Sequence, residues 1–312
     1  HHCDVLLLLG TDFPYESFIP TAPQIAQIDI RPERLGRRSK LDAGLFGDIR
    51  ETIKALLPLV EPKADGAFLD NMLEKHEGAV RKLRVYVDHI TERRPIHPEY
   101  LAATLDELAG PNTVFTVDTG MCCVWAARFL RAAEERRFLG SFNHGSMANA
   151  LSQAIGAQVT YPDRQVVALC GDGGLAMLMG ELLTVAQYEL PIKILVFNNH
   201  SLGLVEVEME VAGMPPFGTD LKNPNFAMLA QAIGMTGIRV EDPAQVRPEL
   251  ERALAVKGPV LIDVVTDRHV LAMPPKAQIH QAKGFALAMT KMAFTGEMDD
   301  VFDTVMANWK DF

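Results

Sequence analysis

Short apolar runs alternate with stretches of helical periodicity along this chain, and the alternation is sharpest in its middle. Residues 166–169 and 192–197 are continuous apolar runs of the kind that suits strands buried on both faces. Between them Leu175, Leu178, Met179, Leu182, Leu183 and Ala186 recur at intervals of three and four, which predicts one crossover helix and so a parallel strand pair. Residues 114–118, 238–240 and 260–265 read as further strands, and residues 98–109, 147–159, 225–233 and 244–255 as helices. The expected fold class is α/β, with parallel sheets carrying helices on both faces.

The flanks differ from this middle. Residues 5–9 and 24–30 read as two strands of a smaller α/β domain, each ending in a polar corner. A strand so close to the start is not expected to open a sheet, so earlier elements of that domain are expected to be missing. Residues 61–94 are helical in pattern with charges of both signs, as in a solvated linker helix. After Pro274-Pro275 the tail predicts helices over 281–294 and 299–309, the second with Val301, Phe302, Val305, Met306 and Trp309 on one stripe. The expected organisation is a partial first domain over residues 1–73, a main domain over 74–269 and a helical tail over 270–312.

Composition narrows the partners. A formal charge of −10 argues against nucleic acid, which is bound by extended basic surfaces. The four cysteines, Cys3, Cys122, Cys123 and Cys170, have no CxxC spacing and fit a reducing cytoplasm. No apolar run approaches the length of a membrane span and the start lacks signal-peptide regions, so a soluble or peripheral protein is expected. His1 and His2 resemble a tag remnant and carry no argument.

The chemistry gathers where two predicted strands end. Gly171-Asp172-Gly173-Gly174 follows the first and Asn198-Asn199-His200-Ser201 the second, and parallel strands put both turns at the carboxyl edge where open α/β sheets bind ligands. Gly173 and Gly174 let backbone N–H groups face an anion. One carboxylate and one amide oxygen make a poor site for a bare divalent ion. They make a good one when the ligand brings oxygens of its own, because magnesium needs six hard oxygens and commonly shares them with a diphosphate. The expected metal ligands are Asp172, Asn199 and a backbone carbonyl just past Asn199, with Ser201 the nearest by reach.

This pairing of GDG with a later NN resembles the diphosphate-binding motif of thiamine-diphosphate enzymes. SFNHGSMANA from Ser141, VFNNHSLGLVEVEME from Val196, Gly218-Thr219, Pro274-Pro275 and the QAKGF from Gln281 extend the resemblance to the pyruvate oxidase family, of the pyruvate dehydrogenase (quinone) type. The resemblance implies thiamine diphosphate, Mg2+ and FAD as cofactors, pyruvate as substrate and a quinone as electron acceptor. It implies that Gly145, Ser146, Met147, Asp172, Gly173, Gly174, Asn199, His200, Ser201, Leu202, Gly203, Leu204 and Val205 touch thiamine diphosphate. Met147 would be the apolar wedge that bends the cofactor, although alone it reads as core. Ser146 is also expected to N-cap the helix after it. His144 and His200 border cofactor turns, a setting in which a lone histidine is more often structural.

In flavin-bearing members the smaller domain holds FAD, and the matching positions are Phe13, Pro14, Tyr15, Glu16, Ser17 and Arg31, with Asp48 a weaker one. Phe13, Pro14 and Tyr15 read equally as loop packing. The implied activity is oxidative decarboxylation of pyruvate to acetate and CO2 by a homo-oligomer, a tetramer in the family, peripheral to the inner membrane through its tail. Packing of the tail on its own protein is the alternative. No acid-base residue is assigned: the family's glutamate lies in an amino-terminal domain, expected to be absent here, and this stretch is expected to be inactive alone. Leu204 departs from the aromatic residue expected in quinone-reducing members. A carboligase of the acetolactate synthase kind and a non-catalytic fold module are the rival readings.

Overall fold

A computed structural model of the protein describes residues 3–88, 94–133, 135–271, 279–296 and 298–308. The chain divides into two compact units, residues 1–80 and 81–312. In the first, β1 (Val5–Leu9), β2 (Gln24–Asp29) and β3 (Ala43–Phe46) form a parallel sheet in that order. Only β2, the middle strand, carries fully buried residues: Ile25, Gln27, Ile28 and Asp29. β3 is exposed along its length, which explains why its sequence gives no strand signal. Helix α1 (Ile49–Leu56) starts at Asp48, whose carboxylate accepts the Glu51 N–H at 3.1 Å. That capping duty gives Asp48 a structural role. Helix α2 (Ala67–Asp88) realises the charged helix expected over 61–94, of which residues 89–93 lie outside the described residues.

The second unit is built on α3 (Pro98–Leu108), β4 (Val114–Val117), α4 (Met121–Phe129), β5 (Arg137–Gly140), α5 (Ala150–Thr160), β6 (Val166–Gly171), α6 (Asp172–Leu178), α7 (Glu181–Gln187), β7 (Lys193–Asn198), α8 (Gly203–Val211), α9 (Phe226–Ala232), β8 (Thr236–Val240), α10 (Pro243–Ala255) and β9 (Val260–Val265). Its six strands are all parallel, in the order β5-β4-β6-β7-β9-β8. Successive residues of a strand point to opposite faces, and two cores follow. On one face Phe115, Leu169, Leu195 and Ile262 pack with Leu101, Trp125 and Leu250. On the other Val166, Ala168, Ile194 and Val196 pack with Leu151, Leu182 and Phe226. This is the parallel α/β fold with helices on both faces that the pattern predicts.

Two local expectations are corrected. The crossover between β6 and β7 is two helices, broken at Met179-Gly180, because glycine weakens a helix interior. Leu178, Met179 and Leu183 are exposed, so the three-and-four stripe is wider than the face the sheet can cover. Ser146 does not cap α5. That helix starts at Ala150 with Asn149 at its N-cap, and the chain before it turns through Ala148 at φ 60°.

The tail forms α11 (Ile279–Thr295) and α12 (Met298–Ala307), while Pro274-Pro275 and Trp309 lie outside the described residues. A Cβ on Gly284 would stand 1.9 Å from the Val211 carbonyl, so this glycine permits the close crossing of α11 with α8. α12 buries Thr304 and Ala307, followed by buried Asn308, and leaves Phe302, Val305 and Met306 exposed. Its apolar stripe therefore faces away from the protein it packs on.

Candidate functional site

Both polar turns lie at the carboxyl edge of the six-stranded sheet, one at the end of β6 and the other at the end of β7. They line a cleft of about 220 Å³. Its walls are largely apolar, with Met121, Trp125, Met147, Phe197, Leu202, Leu204 and Val270 among them, and its polar groups include Thr119, Asp172, Asn199, Ser201 and Asp267. Of the thiamine-diphosphate positions expected from sequence, Gly145, Met147, Asp172, Gly173, Gly174, Asn199, Ser201, Leu202, Gly203, Leu204 and Val205 line this cleft. Ser146 and His200 are not among the lining residues. Ser146 is exposed, with its hydroxyl on the Met147 carbonyl at 2.9 Å.

His200 acts through its backbone. It occupies the left-handed region at φ 58°, which histidine tolerates better than most residues. From there its N–H donates to Asp172 Oδ2 at 2.7 Å and its carbonyl accepts the Leu221 N–H at 2.8 Å. The two turns are thus joined directly.

Asp172 is 2% exposed. Its Oδ1 accepts the Gly173 N–H at 2.9 Å, and its Oδ2 accepts both the His200 N–H and the Asn223 side-chain amide, each at 2.7 Å. Burial raises the Asp172 pKa above the usual carboxylate range, opposed by the bonds from Gly173, Asn223 and His200. A cation in the cleft would oppose it further.

The segment beyond α8 completes the cross-linking. Leu202 N–H donates to the Thr219 carbonyl at 2.9 Å, and Ser201 bridges Asp220 in antiparallel register. Arg268 donates to Asp220 at 2.8 Å and lies 3.3 Å from Glu206, which accepts the Ser201 hydroxyl. Asn199 Oδ1 accepts the Ser201 N–H at 3.1 Å, a local turn that leaves its second lone pair for another partner. The flanking carbonyls of His200 and Leu202 accept the N–H groups of Leu221 and Glu206. Among the described residues the Ser201 carbonyl accepts none, although Ser201 is buried.

Three glycines sit where a side chain would crowd its neighbours. A Cβ on Gly173 would meet Leu202 at 2.8 Å and Leu221 at 3.3 Å, and one on Gly203 would meet the Asn199 amide nitrogen at 2.9 Å. One on Gly174 would meet Asp118 Oδ2 at 2.4 Å. Asp118, which the sequence reading left as a strand end, is buried and accepts the Ala150 N–H at 2.8 Å. Burial raises its pKa to about 6.

The flavin positions behave differently. Phe13, Pro14, Tyr15, Glu16 and Arg31 are exposed at the carboxyl edge of the small sheet, and Ser17 lies on the same loop. Phe13 and Tyr15 stack edge to face with ring centroids 5.4 Å apart. Beside them Asp29 is 1% exposed; its Oδ1 accepts the Arg31 N–H at 2.8 Å, and its Oδ2 has no partner.

Sequence reasoning missed Asn223, Asp118, and the Glu206 and Arg268 pair. Asp263, read as structural, is that: fully buried, it accepts from Asn198, the Phe226 N–H and Arg239.

Comparison with known proteins adds independent findings. Residues 118–264 match the model of the thiamine pyrophosphate enzyme C-terminal TPP binding domain, and residues 1–56 that of the thiamine pyrophosphate enzyme central domain. The "Putative thiamine pyrophosphate-containing protein YdaP" of Bacillus subtilis is 34% identical over 295 residues, covering 95% of this chain and 51% of that protein. The chloroplastic acetolactate synthase of Arabidopsis thaliana is 31% identical over 88% of the chain and 43% of its own length. The pyruvate oxidase of Lactiplantibacillus plantarum is 29% identical over 84% and 44%. The chain spans about half the length of the curated relatives it matches.

Proposed function

The chain carries the central domain and the C-terminal TPP-binding domain of a thiamine pyrophosphate enzyme, and from that premise we propose that it is the cofactor-holding part of a pyruvate-decarboxylating oxidoreductase. The observation that carries this reading is the cleft at the end of β6 and β7, lined by Asp172, Asn199 and Ser201, whose carbonyl accepts no hydrogen bond among the described residues. These three hard oxygens fit a magnesium ion that completes its shell from a diphosphate. Bound there, thiamine diphosphate would supply the nucleophilic carbon and electron sink that decarboxylation of a 2-keto acid needs.

The residues of this chain bind, orient and exclude water. Gly173 and Gly203 keep the backbone close to the ligand, where side chains would collide with Leu202 and Asn199. Met147 stands opposite Gly173, its Cε 3.5 Å from where a Cβ would be, and would give the cofactor an apolar contact on that side. Leu204 and Val205 line the cleft beside it, with Trp125 and Phe197, and keep the reacting region apolar.

Pyruvate as substrate draws support from relatives named pyruvate oxidase and acetolactate synthase. FAD is the finer part of the reading. It draws on the resemblance of Phe13 to Ser17 and Arg31 to flavin-bearing members, positions that lie on loops at the carboxyl edge of the small sheet. Electron transfer to a quinone at a membrane is supported by the exposed stripe of α12 and by Phe294, which is 87% exposed. No helix among the described residues is long and apolar enough to cross a membrane, so attachment would be by this face. A homotetramer at the cytoplasmic side of the inner membrane completes the proposal.

Calorimetric titration with thiamine diphosphate and Mg2+, beside Asp172→Ala, tests the core of this reading. Magnesium-dependent binding that falls at least about a hundredfold in the variant is expected, since the change removes a buried charged ligand. Binding indifferent to Asp172 would refute it. For the second reading, a carboligase, the acetolactate synthase relatives are the supporting observation. Products formed from pyruvate by the protein extended to the length of its relatives decide between them: acetate is expected, and acetolactate favours the carboligase.

A further inference from the structure

We infer that Asn223 is a positioning residue for the metal site: it fixes the Asp172 carboxylate so that Oδ1, and not Oδ2, is offered to the cation. The inference rests on the proposed thiamine diphosphate and Mg2+ site. Its starting point is the occupancy of the two carboxylate oxygens. Asp172 Oδ2 accepts two hydrogen bonds, from the His200 N–H and the Asn223 side-chain amide, both at 2.7 Å. A carboxylate oxygen has two lone-pair directions, and both are used. Oδ1 accepts only the Gly173 N–H, at 2.9 Å, and keeps one direction open.

Asn223 is itself held. Its Nδ2 also donates to Asn198 Oδ1 at 2.9 Å, and the Asn198 amide in turn donates to buried Asp263 at 2.8 Å. The rest of its segment is anchored by the Leu221 N–H on the His200 carbonyl, by the Thr219 carbonyl on the Leu202 N–H, and by Asp220 on Arg268, which follows β9. A side chain 51 positions from Asp172 in sequence therefore meets it through a strap pinned at four points. The Gly173 and His200 bonds to Asp172 are local consequences of the two turns. The Asn223 bond is the one that a side-chain change can remove without altering either turn.

Without it, Oδ2 would regain a lone pair and the carboxylate could rotate towards chelating the cation through both oxygens or turning away from it. Magnesium tolerates such departures poorly, because it demands near-octahedral geometry at short distance. The loss should therefore fall on the metal and not on the organic cofactor.

The test is calorimetry on the whole chain, with magnesium titrated at fixed thiamine diphosphate and thiamine diphosphate titrated at saturating magnesium. Asn223→Ala, Asn223→Asp and Asp172→Ala are compared with the unmodified protein. For Asn223→Ala the magnesium concentration at half-saturation should rise about tenfold, while thiamine diphosphate affinity at saturating magnesium changes less than about twofold. Circular dichroism should be unchanged and the melting temperature should fall by only a few degrees, because Asn223 is half-buried on a loop but its loss leaves buried Asn198 Oδ1 without its donor. Asn223→Asp should raise the magnesium requirement at least as far, because it sets an acceptor against Oδ2.

An unchanged magnesium requirement in Asn223→Ala, with Asp172→Ala inactive in binding, would overturn the inference and leave the functional reading intact. Tighter magnesium binding by Asn223→Asp would also overturn it, by making position 223 a ligand site. Absence of magnesium-dependent binding in the unmodified chain would overturn the functional reading and this inference together.

Discussion

The chain presents the same topological opportunity twice and uses it in two ways. Each of its sheets is parallel, and each ends in loops that carry polar and aromatic residues. At the edge of the six-stranded sheet the loops are tied to one another: His200 and Asn223 to Asp172, Thr219 to Leu202, Arg268 to Asp220. At the edge of the small sheet the loops are tied by part-exposed ion pairs, Arg37 and Arg38 to Asp12 at 3.0 Å each, and Phe13, Tyr15 and Phe18 stay exposed. Topology supplies a place for a ligand. Cross-links between the loops turn that place into a preorganised site, because each donor is held before the ligand arrives.

The comparison breaks most visibly at Gly174. An alanine there puts a methyl group 2.4 Å from Asp118 Oδ2, and Asp118 is buried and tied to the start of α5. The carboxylate has little room to turn, because Asp118 is buried and the Ala148 backbone nitrogen lies 3.4 Å from the same methyl position. Gly174→Ala should cost about 2–3 kcal/mol, in the upper range for overpacking, read as a lower denaturation midpoint with an unchanged slope. A neutral result would mean that the edge of the large sheet is not held rigidly by its cross-links.

How much of this was legible in the sequence depends on the range of the contact. Strands β6, β7 and β9 are buried almost end to end, so their sequences are mostly apolar, interrupted inside a strand only by Asp263, and their order along the chain is plain. The glycine turn could be read because its constraint is local. α8 could not, because Leu204 to Val211 places acidic residues at every second position from Glu206 to Glu210, a spacing of two that masks helical periodicity. Asn223 was hidden for a different reason. It sits in Asn223-Pro224-Asn225, where a cap for the next helix is expected, and Asn225 is that cap. The other asparagine reaches back across the fold to a partner that spacing alone does not reveal.

A smaller effect is expected one helical face away from the cleft. Glu210 is 3% exposed with an unpartnered Oε2, in a polar cavity of about 130 Å³ that it shares with Glu206, Asp220, Arg268 and His269. Burial first, then the charge of Glu206, raises its pKa from 4.5 to about 7, while Arg268 opposes the shift. A carboxylate whose folded pKa lies above its unfolded one withholds no stability below about pH 4.5 and loses it as pH rises through about 7. Glu210→Gln removes that dependence. It should stabilise the protein by about 1–2 kcal/mol at pH 8, under the ceiling of about 3 set by the shift, and leave pH 4 unchanged. Equal gains at both pH values would mean that packing, and not charge, limits this position.

The smallest effect on stability should come from Tyr15, and it sharpens the contrast with Gly174. Tyr15 is 60% exposed, in edge-to-face contact with Phe13 at 5.4 Å and Phe18 at 6.4 Å. Exposed aromatic pairs bury little area, so Tyr15→Ala should lower stability by less than about 0.5 kcal/mol. If this loop meets a flavin, the same change should weaken FAD binding several-fold, measured by quenching of flavin fluorescence, because an aromatic ring offers a stacking face that alanine lacks. A large loss of stability with FAD binding unaltered would make the aromatic trio a packing device. The small sheet would then hold its edge loops with ring edges as well as with the Asp12 ion pairs to Arg37 and Arg38.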